Sequence, residues 1–158
     1  MSLTIKEIDY ENSKDLSKLE SALKNWFSNP KDLNFADPNT QYPFDMKKWT
    51  RVNHKLNKIK TLAALKNEWI VGFIGIKVFE DLSLAHITQI YVDDEHKGKG
   101  YKEILIKNVE KKIFRQNIDK LTITSMKKDD SAQLLYKKLS FKEVGVSGNK
   151  INFEKKLT

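Results

Sequence analysis

IYVDDEHKGKGYKEILIK, residues 90–107, is the stretch that says most about the fold. Its first three residues are β-branched or aromatic, which is typical of a strand. A charged turn with two glycines follows, and from Tyr101 onward apolar residues recur at helical spacing. The stretch therefore predicts a strand that ends at Val92, a glycine turn, and a helix that begins near Tyr101.

The glycine turn has the chemistry of an anion site. The first amides of a helix have no partner within the helix, and the helix dipole adds about half a positive charge there. Gly98 and Gly100 let the backbone approach an anion closely. Three lysines add positive charge: Lys97, Lys99 and Lys102. The pattern is not a phosphate loop, and Glu103 prevents a full GxGxxG. The alternative is a turn that uses glycine only for its backbone shape.

The composition predicts one soluble domain, residues 1–158. Of the 158 residues, 39% are hydrophobic and 32% are charged, which suits a single globular domain. The absence of cysteine excludes disulfides, thiolate metal sites and a cysteine nucleophile. No apolar run approaches the ~20 residues that span a bilayer, and the N-terminus lacks the order of a secretory signal. We therefore expect a cytoplasmic protein without a membrane partner.

The net charge of +8 is concentrated in the C-terminal half of the chain. Such a balance favours an anionic ligand, although a solvated lysine-rich surface explains it as well. The basic residues form two clusters, one at Lys111, Lys112 and Arg115, and one at Lys127 and Lys128. They leave a nucleic-acid-binding module as a rival interpretation, but no nucleic-acid motif accompanies them. The three histidines, His54, His86 and His96, lack metal-ligand spacing, so no metal is expected.

The order of elements predicts an α/β (α+β) fold, a mixed central sheet of six to seven strands flanked by about four helices. Strands are expected at residues 3–8, 59–65, 69–79, 82–92, 121–125, 141–146 and 150–156. Helices are expected at residues 13–27, 101–116 and 129–139. Residues 30–42 are polar and proline-bearing and predict a loop, after which Pro43 is expected in the first turn of a further helix.

Two segments together resemble the GCN5-related N-acetyltransferase (GNAT) family. Residues 97–102 resemble its acetyl-CoA signature (Q/R)-x-x-G-x-(G/A), with Lys97 at the Gln/Arg position, Gly100 at the central glycine and Lys102 at the last position. Residues 129–141, DDSAQLLYKKLSF, resemble the family segment N-x-x-A-x-x-L-Y-x-x-x-G-F. Its matching residues are Ala132, Leu135, Tyr136 and Phe141, whereas Asp129 replaces Asn and Ser140 replaces Gly. The order of elements also fits the family over nearly the whole chain.

The resemblance implies a GNAT fold and an N-acetyltransferase that uses acetyl-CoA as cosubstrate. The acetyl group would pass to an amine acceptor by direct attack. The residues implied to bind the cofactor are Ile90, Tyr91, Val92, Lys97, Gly98, Lys99, Gly100, Tyr101, Lys102, Asp129 and Ser131. Lys102 can contribute its amide if its side chain points away from the cofactor. The backbone of residues 90–92 would pair with the pantetheine arm as an added strand does.

The resemblance also implies the residues of the reaction. Tyr136 is the expected general acid, with packing of its ring as the alternative. His86 stands where one branch of the family has a glutamate base, and histidine titrates near neutral pH. The alternative for His86 is a strand histidine that faces solvent or a neighbouring side chain, and Thr88 and Gln89 could order a water instead.

The acceptor is expected among residues 26–50 and the two strands that follow. Its aromatic candidates are Trp26, Phe27, Tyr42, Phe44 and Trp49, unless these side chains only pack the helices on the sheet. Asp32, Asp37 and Asp45 could attract a cationic amine, or could simply be solvated. A peptide, a small molecule or an aminoacyl-tRNA remains open as the acceptor, as does a homodimer. A non-catalytic CoA-binding module is the rival of an enzyme.

Overall fold

The computed structural model describes residues 3–36 and 42–157, which form one seven-stranded sheet with helices on both faces. The strands are β1 Thr4–Glu7, β2 Lys60–Lys66, β3 Trp69–Phe79, β4 Leu84–Val92, β5 Lys120–Met126, β6 Lys142–Ser147 and β7 Lys150–Lys156. The α-helices are α1 Ser13–Trp26, α2 Pro30–Ala36, α3 Met46–Thr50, α4 Tyr101–Phe114 and α5 Asp130–Lys138. A π-helical turn, Arg51–Leu56, extends α3. The predicted fold class is confirmed.

The sheet has the order β1-β2-β3-β4-β5-β7-β6, and only β4 and β5 are parallel. Their pairing runs from Leu84↔Lys120 to Ile87↔Ile123 and ends there, although both strands continue. Next to that point β4 has a bulge against β3, because Gly75 pairs with Gln89 while the next residue, Ile76, pairs with Ile87. The bulge leaves Thr88 as an extra residue, and a bulge bends its strand. The C-terminal ends of β4 and β5 thus lie on two sides of a gap.

Two hydrophobic clusters cover the two faces of the sheet. One contains the buried residues of α4, Leu105, Ile106, Val109 and Ile113, together with Tyr136 of α5. The other contains α1, through Leu19, Leu23 and Trp26, and receives Trp49 of α3 and Phe73 of β3. Because the bulge adds one residue to β4, Ile87 joins the first cluster whereas Tyr91, four residues later, joins the second. The gap between β4 and β5 therefore lies between helices that pack on opposite faces of the sheet.

Two predictions for the segment after α1 are wrong. Residues 30–42 are not all loop, because α2 begins at Pro30, where Asn29 Oδ1 accepts the amide of Lys31 at 2.8 Å and Leu33 is buried. Helix α3 does not begin at Pro43. It begins at Met46, because the carboxylate of Asp45 accepts the first-turn amides. Proline at a first turn is permitted, but a capping carboxylate satisfies donors and decides the start.

Candidate active site

A cleft of about 630 Å³ opens beside the end of β4, between the start of α4 and the start of α5. We call it the β4 cleft. Ten of the eleven residues predicted to bind the cofactor line it: Ile90, Tyr91, Val92, Lys97, Gly98, Gly100, Tyr101, Lys102, Asp129 and Ser131. Lys99 is exposed and does not line the cleft. The two sequence segments that were singled out by their motifs thus form two walls of one cavity.

The glycine turn adopts a backbone that suits close approach. Gly98 and Gly100 have φ of +81° and +78°, which side chains rarely adopt. An added Cβ at either position would meet no atom within 4 Å, so the space beside the turn is open. The first intrahelical hydrogen bond of α4 runs from Ile104 N to Gly100 O at 3.1 Å. The amides of residues 101–103 precede that bond and therefore have no acceptor within the helix.

The two lysines of the signature have different environments. Lys97 Nζ pairs with Asp94 at 2.6 Å, with both side chains largely exposed. Lys102 is half-buried in the β4 cleft, and burial lowers its pKa, which Asp129 partly offsets by raising it. The outward orientation considered for Lys102 is therefore wrong. Lys102 lines the cleft at the position where the family signature has glycine or alanine.

Asp129 serves mainly as the N-cap of α5. Its Oδ1 accepts the amide of Ala132 at 3.2 Å and the hydroxyl of Ser131 at 3.3 Å. A capping carboxylate is stabilised by the positive end of the helix dipole. The replacement of the family's Asn by Asp therefore keeps the cap, and the negative charge lies near Lys102, whose pKa it raises.

Tyr136 links the β4 cleft to a second cavity. This inner pocket, of about 280 Å³, occupies the gap between β4 and β5. The ring of Tyr136 is 3% exposed and packs against Phe141 and Phe153, with ring centroids at 6.0 and 5.6 Å. Its hydroxyl has no hydrogen-bond partner among the residues that the structure describes. Burial, followed by the charge of Asp129, raises the pKa of Tyr136, so the phenol keeps its proton at neutral pH.

His86 lines the same inner pocket from β4. Its Nδ1 lies 2.7 Å from the hydroxyl of Thr122 on β5, which fixes the ring. Burial lowers its pKa, so the imidazole is neutral at pH 7 and can accept a proton. Its partner across the antiparallel pair with β3 is Lys77.

A buried chain of amide and hydroxyl groups runs beside the bulge, and sequence reasoning missed one of its members. Thr88 Oγ1 donates to Gln89 Oε1 at 2.6 Å, and Gln89 Nε2 donates to Asn53 Oδ1 at 2.7 Å. Asn53 Nδ2 in turn donates to Trp49 O at 2.9 Å. A Cβ on Gly75 would overlap Gln89 Oε1. Gly75, one of two glycines within the pattern of β3, was the sequence signal for this arrangement.

An outer pocket of about 1040 Å³ lies on the face of α3 and its π-helical turn. It shares Thr88 and Gln89 with the inner pocket. Of the five predicted aromatic residues, Tyr42, Phe44 and Trp49 line it. Trp26 and Phe27 do not, because they are buried in the cluster between α1 and the sheet, where only their packing role remains.

The acidic residues predicted to attract a cationic amine do not gather in this outer pocket. Asp45 lines it, but its Oδ1 accepts the amides of Lys47 and Lys48 at 3.0 and 3.2 Å. Asp32 lines the β4 cleft instead. Asp37 lies outside the described residues.

The described residues were also compared with a metal site, a membrane-spanning helix and a basic nucleic-acid-binding surface. No group of three or more acids, histidines or cysteines that could hold a metal ion occurs there. Within the same ranges no helix is long and apolar enough to cross a membrane. Of the basic clusters, Lys112 is paired with Glu7 at 2.6 Å, and Lys128 lines the β4 cleft.

Comparison with known proteins identifies relatives by sequence profile and by fold. The profile described as "Acetyltransferase (GNAT) family" matches residues 20–141. The PaiA N-acetyltransferase of Thermoplasma acidophilum, solved in complex with coenzyme A, superposes with a TM-score of 0.72 at 22% identity, over 99% of each chain. The ribosomal-protein-S18-alanine N-acetyltransferase of Escherichia coli superposes with a TM-score of 0.75 at 16% identity, over 99% of this chain and 95% of its own. No significant match is found among curated protein sequences.

Proposed function

Because the chain belongs to the acetyltransferase (GNAT) family, we propose that it transfers an acetyl group from acetyl-CoA to the nitrogen of an amine acceptor. One observation carries the proposal: Tyr136 lies where the β4 cleft, with its anion-binding turn, meets the inner pocket. Each cavity is then the place of one reactant, and the tyrosine lies between them.

The β4 cleft suits acetyl-CoA on three counts. The unpaired amides of residues 101–103 and the open space at Gly98 and Gly100 would receive the pyrophosphate. Lys102 adds a cation within the cleft. Among the described residues the backbone of β4 after Ile87 has no strand on its β5 side, so it can pair with the amides of an extended pantetheine arm.

The reaction requires two proton transfers. When bound, acetyl-CoA supplies the thioester whose carbon–sulfur bond breaks as the nitrogen–carbon bond forms, so one proton must leave the amine and one must reach the sulfur. Tyr136 keeps its proton at neutral pH and is the general acid. His86, held by Thr122 and neutral, is the general base, either directly or through a water.

Cofactor binding is tested by thermal unfolding with a matched pair of glycine variants. Acetyl-CoA at ~100 times its Kd should raise the Tm by ~5 °C, because it binds only the folded chain. Gly100→Glu should abolish the rise, since it puts a negative side chain at the anion site. Gly148→Glu is the control: it introduces the same residue at another left-handed φ, +61°, in the turn between β6 and β7.

The proposal is contradicted if acetyl-CoA does not raise the Tm of the unmodified chain. Equal shifts in both variants would instead place the cofactor elsewhere. Transfer itself is measured as free CoA released in the presence of amines. Binding without release to any amine class would favour the non-catalytic CoA-binding rival.

A further inference from the structure

The outer pocket is rich in lysine, and its carboxylates are already engaged. Its charged residues are Glu20, Lys24, Asp45, Lys47, Lys48 and Lys77. Glu20 pairs with Lys24 at 2.8 Å, and the Asp45 carboxylate caps α3. The other three lysines have no ion-pair partner in the part of the chain that the structure describes. The four lysines among its lining residues outnumber the two carboxylates, so the pocket has a net positive charge.

These three lysines come from different elements. Lys77 is half-buried on β3, with its Nζ 5.4 Å from the centroid of the Phe79 ring, which holds the stem against the sheet. Lys47 and Lys48 are exposed on α3. A half-buried ammonium interacts with an anion more strongly than an exposed one, because less water screens it. Lys77 is therefore the principal cation, and the α3 pair adds a weaker field.

The position of Lys77 relates the charge to the reaction. Lys77 and His86 are directly opposite each other on β3 and β4, and so project from the same face of the sheet. His86 lines the inner pocket, whereas Lys77 lines the outer pocket. An acceptor whose amine lies near His86 and Tyr136 would extend past Thr88 and Gln89, which line both pockets, toward Lys77.

The neutral groups on that path do not offer a site for a second positive charge. Gln89 Oε1 and Asn53 Oδ1 already accept hydrogen bonds from within the chain. A polycationic amine would bring a second ammonium close to Lys77 in a pocket where lysines already outnumber carboxylates, which is unfavourable. A carboxylate in the same place would be paired.

We propose that the acceptor is a small amine that also carries a carboxylate, and that Lys77 binds this carboxylate while Lys47 and Lys48 assist. This inference rests on the proposed acetyl transfer and names the substrate class of the same site. An outer pocket of about 1040 Å³ accommodates an acceptor of dipeptide size.

The test compares acceptors whose side chains differ in charge. Alanyl-glutamate amide, alanyl-glutamine amide and alanyl-arginine amide present the same N-terminal amine with an anionic, neutral or cationic side chain, and free L-glutamate distinguishes an amino acid from a peptide. Release of CoA gives kcat/KM for each. We expect the glutamate peptide or free glutamate to exceed the glutamine peptide by ~10-fold, and the arginine peptide to be poorest.

Variants then assign the preference to the lysines. Lys77→Gln should lower kcat/KM for the anionic acceptor by ~10-fold, mainly through KM, and leave the neutral acceptor within about twofold. The double variant Lys47→Gln/Lys48→Gln, at two exposed positions of α3, should lower kcat/KM for the anionic acceptor by ~3-fold, more at low salt. Lys111→Gln, an exposed lysine of α4, is the control.

Three outcomes overturn the inference. One is a preference for the arginine peptide, and another is a Lys77→Gln loss that is equal for anionic and neutral acceptors. Both leave the proposed acetyl transfer standing, because CoA is still released. The third is no release from any of the four acceptors, in which case the acetyl-CoA melting shift and release with other amines decide separately whether acetyl transfer survives.

Discussion

At the scale of single residues, Tyr136 has an environment that suits a proton donor. The ring is held by Phe141 and Phe153, and the residue lines both the β4 cleft and the inner pocket. Burial raises its pKa, which keeps the phenol protonated, so that it can donate a hydrogen bond to the departing thiolate. A buried tyrosine whose only role was ring packing would not need to line a cavity.

Removal of this hydroxyl should affect the rate and not the fold. Tyr136→Phe is expected to lower kcat by ~100-fold with little change in KM for acetyl-CoA, because general acid catalysis contributes roughly that factor. Steady-state kinetics by CoA release measure it. Tyr10→Phe is the matched control, since it removes a hydroxyl that lies 2.7 Å from Thr61 Oγ1. That variant should lose stability and keep kcat. Unchanged kcat in Tyr136→Phe would rule out the acid role.

At the scale of elements, the bulge in β4 creates the site. It displaces one residue at Thr88, and the pairing with β5 ends beside it. Gly75 on β3 leaves the space that the side chain of Gln89 occupies. The gap that opens beyond the bulge is the inner pocket, so a local irregularity of one strand places His86 and Tyr136 on the same cavity.

A methyl group at this point should disturb the acceptor side of the site. In Gly75→Ala the new Cβ would overlap Gln89 Oε1, so Gln89 must turn and lose its bonds to Thr88 and Asn53. We expect a loss of ~1–2 kcal/mol in urea unfolding and a several-fold rise in acceptor KM. Gly145→Ala on β6 should be nearly neutral, because its Cβ would lie 3.9 Å from the nearest side-chain atom. Equal behaviour of the two variants would contradict the role assigned to Gly75.

At the scale of the molecule, one sheet joins two clusters, so we expect the fold to be cooperative. Trp26 and Trp49 lie in the α1 cluster, whereas Leu105 lies in the α4 cluster on the other face. The third tryptophan, Trp69, is 72% exposed, so the buried fluorescence signal comes from the α1 cluster, and mutations can be made in the other. The cytoplasmic location and the homodimer were predicted from the sequence, and they stay predictions.

A substitution in the core on one face of the sheet should destabilise the hydrophobic clusters on both faces. Leu105→Ala is expected to cost about 2–5 kcal/mol. Its urea transition should shift equally in tryptophan fluorescence and in far-ultraviolet circular dichroism. Leu134→Ala, at a position that is 70% exposed, should change the free energy of unfolding by less than ~0.5 kcal/mol. Separate transitions for the two probes would mean that the clusters unfold independently.

The sequence by itself determined the parts of the site that are local in the chain. The turn at Gly98 and Gly100, the α4 amides and the α5 start are set by backbone preference and capping over a few residues, so their motifs could be read directly. The register could not be read, because it depends on contacts between distant strands. The tertiary structure alone decided that the β4 bulge opens a gap, that Lys77 lies opposite His86, and that Asn53 reaches Gln89.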